Sequence, residues 1–317
     1  MALIEKTIKV ADGDYTNLTG WEFGEQQDLT DGAGDQHETE CFPMQDTTAT
    51  TIAGWTASGT NYALLKLPSS NRPTTGKLDT DCYYMDVQDG TALSLYEDGF
   101  RFEYFQIEVD ANGSNSYCLA MSNNHILDLR FLSCYFKFQS TGAVTPVGCN
   151  HNGTFIDDGG FIKYQNCTFE GNDYASDWHT ACRWLAGAGQ TGALYFYNCS
   201  FKDLHDCLWL ILGGDGALCL VKNCGADSCD DLYNAGASAP TTETTNSETT
   251  PTWDTYFLLD SADVTWKGQG TDLTADGGRL NELDFLENAR PNGSAWSIGA
   301  HEPSAAAAVW IPRVIIF

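Results

Sequence analysis

One short phrase recurs four times between Leu129 and Tyr233, and few folds accommodate a chain that repeats itself at this interval. The copies are LRFLSCYF (Leu129–Phe136), IKYQNCTF (Ile162–Phe169), LYFYNCSF (Leu194–Phe201) and LCLVKNCGA (Leu218–Ala226). Their cysteines Cys134, Cys167, Cys199 and Cys224 are spaced 167−134 = 33, 199−167 = 32 and 224−199 = 25 residues apart. Self-similarity at this period is the mark of a solenoid, in which each repeat can bury its apolar face only against its neighbours.

Within each phrase large apolar residues alternate with polar ones, so one set of side chains shares one face of a strand. Each Cys and the Phe two residues on (Phe136, Phe169, Phe201) therefore point inward together, as a core ladder. The second halves align as ACRWL (Ala181–Leu185), DCLWL (Asp206–Leu210) and SCDDLY (Ser228–Tyr233). Each unit thus holds two or three short strands joined by corners, the pattern of a parallel β-solenoid; a β-sandwich would repeat at about 8–12 residues. Asn166, Asn198 and Asn223 precede the ladder cysteines and suit a corner, because Asn tolerates the left-handed conformation and its amide can bond the Asn of the next coil.

Charge and cysteine usage narrow the partners. With 16 Lys+Arg against 43 Asp+Glu the net charge is −27, so most of the surface repels nucleic-acid phosphates. The N-terminus has no basic segment followed by an apolar stretch, and no apolar run suits a membrane span; the reading is no signal peptide, no membrane and synthesis in the cytosol. The twelve cysteines then read as reduced thiols. Without a CxxC pair or adjacent histidines no metal and no cofactor is expected.

The chain divides into 1–92, an N-terminal cap and first coils; 93–235, the coils with the Cys/Phe ladder; 236–256, a Thr-rich surface loop; 257–302, a last coil; and 303–317, a C-terminal assembly tail. A brief capping helix is expected near Leu18 and Trp21, with Asp or Thr as its N-cap. In LSLYEDGFRFEYFQIEV (Leu93–Val109), Phe105 and Ile107 take the places of the later Cys and Phe. In the tail, Val309, Trp310, Ile311, Val314, Ile315, Ile316 and Phe317 would leave a large apolar patch in water, which calls for docking on the chain's own body or on a neighbouring subunit.

The stretches GDYTNLTGWE, ETECF, TTIAGWT and NYALLKLPSSNRPTTGKLDT, the closing segment Gly270–Glu302 and the NC-x-F ladder together resemble right-handed parallel β-helix proteins of pectin-lyase-like fold from bacteriophage and metagenomic viral genomes. The resemblance covers most of the chain but rests on architectural motifs. It implies an all-β, right-handed parallel β-helix acting as a virion structural protein: a capsid-associated decoration or spike, assembled as a homo-oligomer, by analogy a trimer, on the major capsid protein or other virion proteins. The alternative is a tailspike-like receptor-binding protein or depolymerase acting on host surface polysaccharide, with glycans as partners.

No catalytic residue is assigned. A polysaccharide hydrolase needs two carboxyl groups about 5–9.5 Å apart. The pectinase-like Asn-Thr-Asp, Gly-His-Gly and Arg-Ile-Lys motifs are absent. The candidates, were the chain an enzyme, are Asp157, Asp158, Asp230, Asp231 and Arg183, with Asp203 and Asp206 beside them; the plainer reading of the acidic pairs is corner residues in Asx-turns. Of the six histidines (His37, His125, His151, His179, His205, His301), His179 and His205 fall at comparable places in successive coils, as solvated turn residues or as a stacked pair. Trp184 and Trp209 are expected to stack inside the core, in phase with Cys182 and Cys207; facing outward they would form a sugar-binding ladder.

Overall fold

The computed structural model describes residues 3–303, apart from 32–34, 59, 113–114, 122–125, 141–145, 153–155, 173–178, 187–190, 213–215, 235–240, 255–257, 261, 274–282, 287 and 291–295; at 127, 152, 157 and 158 only the backbone is described. The chain winds into a parallel β-solenoid of about seven coils with three sheets. Among the described residues the first sheet has nine strands: Leu3–Ile8, Gln36–Cys41, Ala63–Lys66, Phe100–Glu103, Ile126–Leu132, Ile156–Gln165, Ala193–Tyr197, Leu218–Lys222 and Thr242–Thr244. The second and third sheets have seven strands each, Met44–Asp46 to Gly225–Asp227 and Thr50–Ile52 to Asp231–Tyr233. Chain order runs first, second, third and back again, so every ladder joins parallel strands of successive coils.

The core is built from rows of like residues. Phe102, Phe131, Tyr164 and Phe196 share one register, with ring centroids 5.1, 4.8 and 5.1 Å apart and planes within 10°. In the second sheet Phe136, Phe169 and Phe201 stack at 5.0 and 5.2 Å. Between the two rows run Cys134, Cys167, Cys199 and Cys224, each fully buried, with thiols reaching carbonyls of the preceding coil (Cys134 Sγ to Phe102 O, 3.4 Å; Cys224 Sγ to Phe196 O, 3.4 Å). Phe105 and Ile107 take the places of the later Cys and Phe as expected, opposite Cys134 and Phe136. All twelve cysteines are free thiols, eleven buried and Cys229 half-buried.

The corner between the first and second sheets turns on left-handed residues stacked from coil to coil: Tyr104, Ser133, Asn166, Asn198, Asn223 and Thr245, with φ between 51° and 60°. Asn223 Nδ2 donates to Asn198 Oδ1 at 3.2 Å, the coil-to-coil bond expected of the asparagines. The helix Leu18–Glu25 is capped by Asn17, whose Oδ1 accepts from the Gly20 N–H, rather than by Asp or Thr. Leu18 and Trp21 join the core at the first coil, and Trp21 stacks on Trp55 at 5.2 Å.

Three expectations need correction. The Thr-rich stretch 236–256 is not merely a surface loop: Thr242–Thr244 pairs with Leu220–Lys222 and completes the last coil, since β-branched Thr suits an exposed edge strand. The stretch 257–302 adds no strand to the three sheets among its described residues. Instead it folds back along the left-handed corner, its own turns closed by isolated antiparallel bridges and tied to the corner by hydrogen bonds to Asn166, Ser200 and Asn223. Finally, Trp184 and Trp209 do not stack. Register pairs Cys182 with Leu208, Trp184 with Leu210 and Arg183 with Trp209, so Trp184 is buried and Trp209 faces out, half-buried. The tail residues Val309, Trp310, Ile311, Val314, Ile315, Ile316 and Phe317 lie outside the described residues.

Candidate functional site

The third sheet carries most of the residues singled out in the sequence. One outward row of register neighbours runs Asn150, Arg183, Trp209, and Arg183 Nε donates to Asn150 Oδ1 at 3.2 Å. Leu185 and Ile211 flank it, with Ile211 44% exposed. At the edge of this strip His179 and His205 are neighbours in successive coils, but only His205 reaches solvent; His179 is buried, contrary to the expectation of two solvated rings.

The acidic candidates part company. Asp206 is buried and accepts from Asn234 Nδ2 at 2.6 Å, and its Oδ2 lies 3.2 Å from His205 Nδ1. The other edge of the same imidazole, Nε2, is 3.8 Å from the exposed Asp230 carboxylate. The ring therefore fills the space between the two carboxyl groups that a glycosidic bond would need. Asp231 is exposed beyond it, and Asp203 sits at a left-handed corner with φ 53°. The side chains of Asp157 and Asp158 are outside the described residues, on a strand of the first sheet rather than beside Asp230. Arg183 is thus brought beside Asn150 and Trp209, not to a carboxylate pair.

Two features carried no signal in the sequence. Lys202, in the second sheet, is almost fully buried between its register neighbours Glu170 and Asp227, and burial lowers its pKa. Such a lysine is a base candidate in an open groove. Here the Trp253 ring, 4.8 Å from its Nζ, covers it, and Trp253 Nε1 bonds Asp227 at 2.6 Å. The second feature is the clamp on the left-handed corner. Arg290, fully buried, donates to Glu302 Oε1 (2.8 Å), Asn166 Oδ1 (3.2 Å) and the Ser297 and Gly299 carbonyls (3.3 and 3.1 Å). Glu302 also accepts from the Ser297 N–H and hydroxyl at 2.8 and 2.6 Å, so the buried ion pair is satisfied on both sides.

A cleft of about 330 Å³ opens where this returning segment meets the turn Ser69–Asn71; Arg72 stacks on Tyr104 at 4.2 Å there, opposite Phe285 and Asn288. Among the described residues its walls carry no carboxylate. Among the described residues no three His, Cys, Asp or Glu side chains are placed to hold a metal ion, and no helix is long and apolar enough to cross a membrane. Comparison with protein-family models, with curated proteins and with solved structures finds no match to this chain.

Proposed function

We propose that the chain is a structural protein of a bacteriophage virion, a capsid-associated decoration or spike assembled as a homotrimer, made in the host cytoplasm and attached to the major capsid protein or another virion protein. The observation that carries this reading is the clamp: the chain uses residues from Trp253 onward to lock the corner of its own solenoid around Arg290 and Asn166 and to cover Lys202, rather than to frame an open acidic groove. A rod stiffened in this way, strongly acidic and carrying the apolar stretch Val309–Phe317, suits a repeated particle component. Particles assembled in the presence of a chain truncated after residue 303 are the test. Loss of the protein from purified particles, with soluble truncated chain still folded, supports attachment through the tail; undiminished incorporation refutes it.

The outward row on the third sheet favours one second reading, a glycan-binding role without catalysis. Trp209 offers an outward, half-buried ring beside Arg183, the combination that stacks and hydrogen-bonds a sugar. Trp209→Ala would then abolish retention on host surface polysaccharide, and equal retention by the variant would end that reading.

A further inference from the structure

The outward face of the first sheet has an unusual order of charge. One row of register neighbours reads Glu5, Glu38, Leu64, Arg101, Arg130, Lys163 from the N-terminal coil onward. Carboxylates predominate at one end, where Glu5, Glu38 and Glu40 line a cleft of about 290 Å³ with Lys6 and Thr7 and where Lys66 pairs with Glu38, and cations stand at the other. In a chain of net charge −27 with only 16 basic residues, three consecutive basic positions on one face are a concentrated exception.

The order is self-complementary. A two-fold axis parallel to the strands, between Ala63–Lys66 and Phe100–Glu103, lays the face on its own copy with the solenoid axes reversed. Because coils repeat at about 4.8 Å, the two copies stay in step along the whole row. Glu5 then meets Lys163 of the second copy, Glu38 meets Arg130, and Leu64 meets Arg101. The adjoining rows agree: Lys66 falls opposite Glu103, and Leu3, 55% exposed, falls opposite the half-buried Phe161 ring. The basic groups are held in place beforehand. Asp128 binds Arg130 at 2.6 and 2.8 Å and Arg101 at 3.3 Å, Arg101 lies over Tyr62 at 3.5 Å, and Lys163 is 5.3–5.6 Å from the Phe161, Tyr195 and Tyr197 rings.

We propose that this face pairs with a second copy of the same chain, antiparallel, through the acidic end of one copy and the basic end of the other. Six strands at about 4.8 Å by about 20 Å of strand length give roughly 580 Å² per copy, near the lower limit for a specific interface. The pairing is therefore weak and reversible, and weakened further by salt. It uses neither the C-terminal tail nor the third sheet and does not depend on the virion assignment.

Sedimentation equilibrium of the full chain, at about 20 mM and about 500 mM salt, tests it with the variants Glu5→Lys, Lys163→Glu and the double exchange. The expected mass at low salt is twice that of the units present at high salt: two chains of 34.6 kDa, or two trimers if the tail trimerises the chain. Each single reversal puts like charges opposite each other at two symmetric places and weakens pairing on the order of a hundredfold, about tenfold per place. The double exchange restores it, which a variant merely damaged in folding would not do. A mass unchanged by salt and by either reversal overturns the pairing and leaves the particle reading intact, whereas loss of trimers only on truncation after residue 303 reports on the tail.

Discussion

Replacing Arg290 by Met removes the guanidinium at the centre of the corner clamp while keeping most of the side chain's length. The variant leaves Glu302 buried with only its Ser297 contacts and strips donors from Asn166 Oδ1 and from the Ser297 and Gly299 carbonyls. Breaking a buried ion pair on one side costs about 3–5 kcal/mol, because the surviving charge keeps its desolvation penalty without its partner. The loss is expected to be local. The coil ladders of the solenoid do not pass through Arg290, whereas the returning segment is pinned by it beside the bonds from Gly299 N–H to Asn223 O (2.7 Å) and from Ala300 N–H to Ser200 Oγ (2.9 Å). Native-state hydrogen exchange reads this directly: protection at Gly299 and Ala300 should fall by about two to three orders of magnitude, with protection in the Phe131, Tyr164 and Phe196 strands unchanged. The double variant Arg290→Met, Glu302→Leu removes both charges and should recover at least half of the loss. Protection at Gly299 and Ala300 within about threefold of the parent in Arg290→Met would refute the clamp, since a loss that small corresponds to well under 1 kcal/mol.

Other expectations follow from the core and the corner. Burial pushes His151 down to about 3, and its Nε2 lies 2.9 Å from the Tyr164 hydroxyl, so the folded state holds it neutral while the unfolded chain takes up a proton below about 6.5. Its contribution is complete above pH 6.5 and is lost as pH falls, by about 2 kcal/mol at pH 5; the fall in melting temperature between pH 7 and pH 5 should be smaller in His151→Gln, and equal falls contradict this. Asn198→Ala should cost about 2–3 kcal/mol in denaturant unfolding, from left-handed backbone strain and the lost Asn223 bond, while Asn198→Gly should cost only about 1; equal losses would count against a left-handed role. Thiol titration of the native protein should find no fast-reacting group other than Cys229, with the rest appearing only on unfolding, because burial raises the pKa of ladder thiols such as Cys134 and Cys199. Several fast native thiols would contradict the packing.

The parts of the fold that were legible in the sequence are those that repeat. The Cys–Phe ladder and the corner asparagines recur because each coil presents the same environment to the next, so the period, the inward set and the left-handed turn all leave a local trace. The third sheet misled because its corner residue also points inward: Ala181 and Cys182 are both buried, and so are Cys207 and Leu208. A cysteine can occupy either of two adjacent inward places, and aligning Cys182 with Cys207 shifted the register by one, which turns Trp209 to the opposite face. The clamp left no trace because it has no period. Arg290 meets Asn166 across 124 residues of chain, and nothing local to either distinguishes them from a surface arginine and a corner asparagine. Lys202 reads as one polar residue after a ladder Phe until Trp253 closes over it. The charge order on the first sheet is likewise invisible along the chain, where Glu5 and Lys163 are far apart; it emerges only when the coils set them in one row.

The virion proposal is tested most directly by electron cryomicroscopy of phage particles purified from cultures that express this chain, with copy number counted by quantitative mass spectrometry. The account predicts solenoid-shaped density repeated over the head at capsid-like stoichiometry. A few copies confined to the tail tip, or none in the particle, would contradict it.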